Sequence, residues 1–228
     1  MNRTTRRFAG IALALGMALG VAACSPAETS APIAHGSDHH APPAATADGI
    51  DPVAFNQDMR KLWEDHITWT RLYIVSAIAE LPDLEATAGR LLQNQADIGD
   101  AMAVFYGDEA GAALTELLRE HILGAADLVA AAKAGDSAAV QVQSDRWYKN
   151  GDDISRFLAD ANPAWKFGVM KKMMRGHLDQ TLAEATARLT GDWDADIAEY
   201  NRIHHHILAM ADALANGIIE QFPDRFSD

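Results

Sequence analysis

One pattern occurs three times in this chain at a nearly constant interval. That repetition limits the folds open to it more than any other feature. The copies read Leu62-Trp63-Glu64-Asp65-His66-Ile67, Leu117-Leu118-Arg119-Glu120-His121-Ile122 and Met173-Met174-Arg175-Gly176-His177-Leu178. Each has two large apolar residues, two polar or small ones, then a histidine followed by Ile or Leu. The histidines are separated by 55 and then 56 residues. A second set keeps the beat: Arg90, Asn94 and Asp97, then Arg146, Asn150 and Asp153, then Arg202 and His206, with successive arginines 56 residues apart. A period of this size marks a repeated supersecondary unit, with a histidine at one equivalent place in each of three units.

The unit is helical. Strand signals are absent, Ala is abundant, and apolar residues recur at helical spacing from Pro52 onward. Leu114, Leu118, His121, Ala125, Leu128 and Ala132 form a seam of heptad type, and the histidine lies inside it. Met59, Trp63, His66, Thr70 and Tyr73 make the matching stripe in the first unit, and Met170, Met174, His177 and Thr181 in the third. Breaks fall at Leu81-Pro82-Asp83, Tyr106-Gly107-Asp108, Gly135-Asp136-Ser137, Asn162-Pro163 and Gly191-Asp192, with Gln221-Phe222-Pro223 closing the last helix. Asp83 is the expected cap of the second helix, and Asn162-Pro163 reads as an N-cap followed by a first-turn proline. The expectation is an all-α bundle of about six helices, built as three repeated antiparallel hairpins over about 52–107, 108–162 and 163–222, within a domain at 52–226.

The N-terminus reads as an address. Arg3, Arg6 and Arg7 precede an apolar run from Phe8 to Ala23, too short to span a membrane and flanked like a signal peptide. Val21-Ala22-Ala23-Cys24 fits bacterial lipoprotein processing, which makes Cys24 a lipidated first residue, with residues 1–23 removed. Ser25 after the cysteine favours the outer over the inner membrane in a Gram-negative cell. Residues 24–51 are rich in Ala and Pro and read as a disordered tether, carrying His35, His39 and His40 as a loose metal-binding tract or as plain polar filler. Removal of residues 1–23 takes three arginines from 19 basic residues and leaves 16 against 32 acidic ones, a net charge of −16. Such a surface repels nucleic acid, so the expected partner is the bilayer, through Cys24.

Two readings of the repeated polar residues stay open. Bundles build metal and ligand sites from inward side chains on facing helices. His66, His121, His177 and His206, with Asn94, Asp97, Asn150 and Asp153, are the candidate set for zinc, copper, iron or a small ligand. Alternatively, each histidine pins its own repeat through a buried hydrogen-bond network. Met170, Met173 and Met174 before His177 suit Cu(I) or fill the core, and the tryptophans read as core or rim residues. Arg90, Arg146 and Arg202 pair with acids on neighbouring helices or line an anionic ligand's site. No Glu-x-x-His, His-Glu-x-x-His, Gly-x-Ser-x-Gly or glycine-rich phosphate loop occurs.

Leu62-Trp63-Glu64-Asp65-His66-Ile67-Thr68-Trp69-Thr70-Arg71, Arg90-Leu91-Leu92-Gln93-Asn94-Gln95-Ala96-Asp97-Ile98-Gly99, Ala161-Asn162-Pro163 and Gln221-Phe222-Pro223 carry a resemblance. The mature domain resembles a family of bacterial secreted or lipid-anchored helical proteins. The resemblance implies an all-helical envelope protein and no particular activity. Some members carry a glycosyltransferase label; this sequence has neither an alternating α/β pattern nor an Asp-x-Asp motif in a strand context. The combined expectation is a non-enzymatic, envelope-anchored helical binding protein holding a metal ion or small ligand, or else a structural and interaction module of the envelope.

Overall fold

The computed structural model describes residues 49–227. The expected signal peptide, Cys24 and the histidines at 35, 39 and 40 lie outside the described residues. Six helices follow one another: α1 (Pro52–Ala79), α2 (Leu84–Tyr106), α3 (Asp108–Lys133), α4 (Ser137–Ala161), α5 (Phe167–Thr190) and α6 (Trp193–Gln221). A single 3-10 turn, Pro223–Arg225, comes after them. None of the described helices is long and apolar enough to cross a membrane.

The punctuation works largely as residue chemistry dictates. Asp51 caps α1 by accepting from the Val53 and Ala54 N–H groups, with Pro52 at the first turn. Asp136 does the same for α4 through Ala138 and Ala139. Gly191 ends α5 at φ 77°, a conformation that suits glycine. Two expected caps differ. Asp83 stands at the α2 N-cap position, but its carboxylate accepts from the Ser76 hydroxyl and so ties α2 back to α1. Asn162 ends α4 rather than starting α5: its Oδ1 accepts from the Ala164 N–H, its Nδ2 reaches the Gly217 carbonyl, and α5 begins at Phe167. The side chain is fully buried against α6, so the tertiary bond decides its role.

Each helix packs against the next, and α6 returns against α1, so the bundle closes into a ring. Arg60 with Asp212, Glu64 with His204 and Thr68 with Tyr200 set the antiparallel α1–α6 register. With short loops reversing the chain each time, α1, α3 and α5 run in one direction and α2, α4 and α6 in the other. Close approaches come from small residues. A Cβ on Gly99 would fall 2.7 Å from the Gly111 carbonyl, and one on Gly217 would fall 2.0 Å from the Trp165 indole nitrogen.

The two ends of the ring differ. At the start of α1, Phe55, Phe105, Phe222 and Phe226 pack as an aromatic plug with ring centroids 5.2–5.7 Å apart. Ile50, placed in the tether by its sequence context, is buried there and bridges to Phe226 through Ile50 N–H to Arg225 O and Ser227 N–H to Ile50 O. The domain therefore starts two or more residues before Pro52. The opposite end, where α1, α3 and α5 finish, is open.

Candidate functional site

The fold brings the three histidines together. The His66 and His177 ring centroids are 5.6 Å apart, and those of His121 and His177 are 6.3 Å apart. All three are buried, at 2%, 3% and 3% exposure. They form a layer across the middle of the ring, one from each hairpin.

Each hairpin holds its histidine by the same device. Asn94 Nδ2 donates to the Leu62 carbonyl, Asn150 Nδ2 to the Leu117 carbonyl, and His206 Nε2 to the Met173 carbonyl. That acceptor is always the residue four before the repeat histidine, so a side chain on the even helix grips the turn from which the histidine projects. The carbonyl of the histidine itself is also bonded: by the Thr70 hydroxyl for His66, the Trp147 indole for His121 and the Thr181 hydroxyl for His177.

The rings are held differently. Gln95 Nε2 donates to His66 Nδ1 at 3.3 Å, while His121 Nδ1 donates to Asn150 Oδ1 at 3.0 Å, so the two carry opposite tautomers. His177 Nδ1 has no partner. In the third hairpin His206 stands at the place of Asn150 and uses its nitrogen on Met173, and Ile207 stands at the place of Gln95, so neither group that holds a ring in the first two hairpins is present. Gly176 makes room for the larger His206 ring, which lies 3.3 Å from the place a Cβ would take. The first two repeats carry Asp65 and Glu120 at the corresponding place.

Burial keeps the layer uncharged. It pushes His66 down to about 3, with the neighbouring His121 adding to the effect. It pushes His121 down to about 4, against the Asn150 bond that favours the proton. His177 lies well below the usual histidine value through burial and three neighbouring imidazoles.

The rest of the expected ligand set does not assemble around this layer. Asp97 is buried, but Arg90 and Gln93 of its own helix occupy its oxygens. Asp153 is exposed and pairs with Lys149. The step of three from each asparagine turns these carboxylates away from the histidines, Asp97 toward Arg90 and Gln93 and Asp153 toward solvent. Among the described residues, no group of three or more His, Cys, Asp and Glu is placed to hold a metal ion. The arginines divide: Arg90 reaches an acid on the neighbouring helix as expected, whereas Arg146 and Arg202 do not. Arg146 and Arg202 are exposed and bond to Gln143 and Glu199 of their own helices, while Arg90 reaches Asp65 as well as Asp97. No arginine of this set lines an interior anion site. Met170 and Met174 are buried against Trp63 and Met210, as core filler is.

Two features escape the repeat pattern. Arg71 on α1 bonds Glu184 of α5 at 2.5 Å and Asp196 of α6 at 2.7 Å, and Arg188 also reaches Asp196 at 3.2 Å. Both carboxylates are almost fully buried, and burial pushes Glu184 up to about 7 against the pull of Arg71. The acids are visible in the sequence, but no spacing links them.

The second is a narrow cavity at the open end, with about 60 Å³ of free space. Its walls are the continuation of the three histidine stripes: Thr70 and Ile74 on α1, Ala125 and Leu128 on α3, Thr181 and Ala185 on α5. Leu91 and Trp147 close its sides from α2 and α4. The Trp147 indole stacks on His121 at 5.2 Å, so the base of the cavity rests on the histidine layer without the histidines lining it. Burial falls along the walls, from Leu91 at 1% to Leu189 at 37% exposed at the rim. No protein-family model, no curated protein and no solved structure matches the chain.

Proposed function

We propose that this chain is a non-catalytic binding protein of the bacterial envelope, tethered by lipid at Cys24, that takes a small apolar molecule into the open end of its helical ring. The histidine layer is the rigid polar platform beneath the ligand. The observation that carries this reading is the cavity between α1, α3 and α5, lined at equivalent positions of all three repeats. A concave, mostly apolar pocket with few polar groups is the usual form of a small-molecule site.

The test uses the full chain with Cys24→Ser, which has no lipid of its own, and the fluorescent probe phenylnaphthylamine. Saturable one-to-one binding is expected, with at least tenfold weaker binding in Ala185→Phe, whose ring fills the cavity, at an unchanged melting transition. Equal binding by the two proteins would refute the assignment of the site. A second reading, a purely structural module, is favoured by the hydrogen bonds that pin His66 and His121. It predicts no probe binding at all.

A further inference from the structure

The walls of the cavity say more about the ligand than its apolar character. We infer that the site takes a single linear hydrocarbon chain of about ten to twelve carbons, an inference that rests on the cavity being the binding site. Three observations carry it.

The first is the chemistry of the walls. None of the lining residues is charged. The Thr70, Thr181 and Thr186 hydroxyls donate to carbonyls of their own helices, and the Trp147 indole donates to His121. Tyr73, half-buried and beside Asp127, carries the one lining hydroxyl without such a bond among the described residues. A ligand with several polar groups would lose its hydration with nothing in exchange.

The second is shape. The lining runs from Thr70 to Ile78 on α1 and from Ile122 to Ala132 on α3. At the rise of a helix these stretches are about 12 and 15 Å long, and an extended chain advances about 1.2 Å per bond, which gives about ten to twelve carbons. The third is the way in. Across the ring, α1 approaches both α3 and α5, whereas α3 and α5 do not approach each other to a similar extent among the described residues. Lys133 ties the rim of α3 to α1 through the Ala77 carbonyl and Glu80, and Arg71 ties α1 to α5. The mouth therefore lies on the α3–α5 side, where Ala185 and Val129 are half-buried and Thr186 and Leu189 exposed. A tail enters there with its polar end left in solvent.

The chain could belong to a free envelope lipid or to the acyl group on Cys24, and the hydrocarbon chemistry is common to both. The experiment measures displacement of phenylnaphthylamine from the Cys24→Ser protein by straight-chain alcohols from octanol to hexadecanol. Affinity is expected to rise about fourfold per methylene and then level off near dodecanol. Ala125→Leu, which adds bulk near the base, is expected to move the levelling point to a shorter alcohol by two or more carbons. Ala185→Leu serves the same purpose if Ala125→Leu does not fold. A compact alcohol such as adamantanol binding as tightly as dodecanol, or affinity independent of length, would overturn the chain assignment while leaving the pocket. Absence of probe binding would remove both. Mass spectrometry of a solvent extract from the Cys24→Ser protein, purified without detergent, separates the sources. A co-purifying fatty acyl compound assigns the tail to free lipid. No such compound, with the expected alcohol series, assigns it to Cys24.

Discussion

Replacing His121 by leucine makes the energetics of the histidine layer measurable, because its cost must depend on pH in a known sense. At pH 7 the substitution leaves Asn150 Oδ1 without the N–H it accepts and removes the stacked contact with Trp147. An unpaired polar group of this kind costs about 1–3 kcal/mol. Acid changes the comparison. The unfolded histidine takes up its proton near 6.5, whereas burial holds the folded one down to about 4. Between those values the unfolded state binds more protons, so the stability that His121 allows is complete above 6.5 and is lost as the pH falls toward 4. At pH 5 the solution is about 1.5 pH units below the unfolded value, and at about 1.4 kcal/mol per unit the parent loses about 2 kcal/mol that the leucine variant does not lose. Burial is the largest cause holding His66 down to about 3, well below pH 5, so losing the smaller contribution of His121 changes its proton uptake little there, and Glu184, held up to about 7, owes none of its shift to His121; both nearly drop out of the difference. The deficit of His121→Leu seen at pH 7 should therefore shrink by about 2 kcal/mol at pH 5. Urea unfolding of the two full-length Cys24→Ser proteins at both pH values reads this directly. A deficit that stays constant would show that His121 is not held neutral by burial, and the account of the layer would fail with it.

Two further substitutions probe the neighbouring interactions. His177→Leu removes a ring whose Nδ1 has no partner, so at pH 7 it should leave stability unchanged or raise it, in contrast to His121→Leu in the same urea assay. Arg71→Leu strips the buried Glu184 and Asp196 of their shared cation and should cost about 3 kcal/mol. Its deficit should be smaller at pH 6 than at pH 8, since burial already holds Glu184 toward its protonated form.

The helices and their hairpins were legible in the sequence wherever local chemistry decides the structure. The 56-residue interval, the stripes through Leu114 and Leu118 and the glycine breaks lead to six helices in three hairpins, because apolar spacing and helix termination are local properties. Asn94 and Asn150 face the histidines as their alignment implied, yet Asp97 and Asp153, on the same nominal face, do not. Three residues along a helix turn a side chain by about 300°, so a stripe one residue wide points inward at one position and to a seam at the next. The Arg71 cluster joins α1 to α5 and α6, which meet α1 only because the ring closes, and no period announces closure. The cavity was half legible. Thr70, Tyr73, Ala125, Leu128 and Thr181 all stand on the predicted inward stripes, but such a stripe reads equally well as close packing. The difference is made by what stands opposite. In the layer below, Trp63, Trp147 and the imidazoles pack on one another; above it the odd helices set small side chains such as Thr70, Ala125, Thr181 and Ala185 among the larger aliphatic ones, and α3 and α5 stay apart. The third repeat shows the same logic within the layer. His206 for asparagine and Gly176 for an acid are two departures from the pattern that look independent along the chain, and the His206 ring, 3.3 Å from where a Cβ on Gly176 would stand, makes them one accommodation. With Ile207 at the place of Gln95 as well, His177 is the one imidazole of the three with an unpartnered Nδ1.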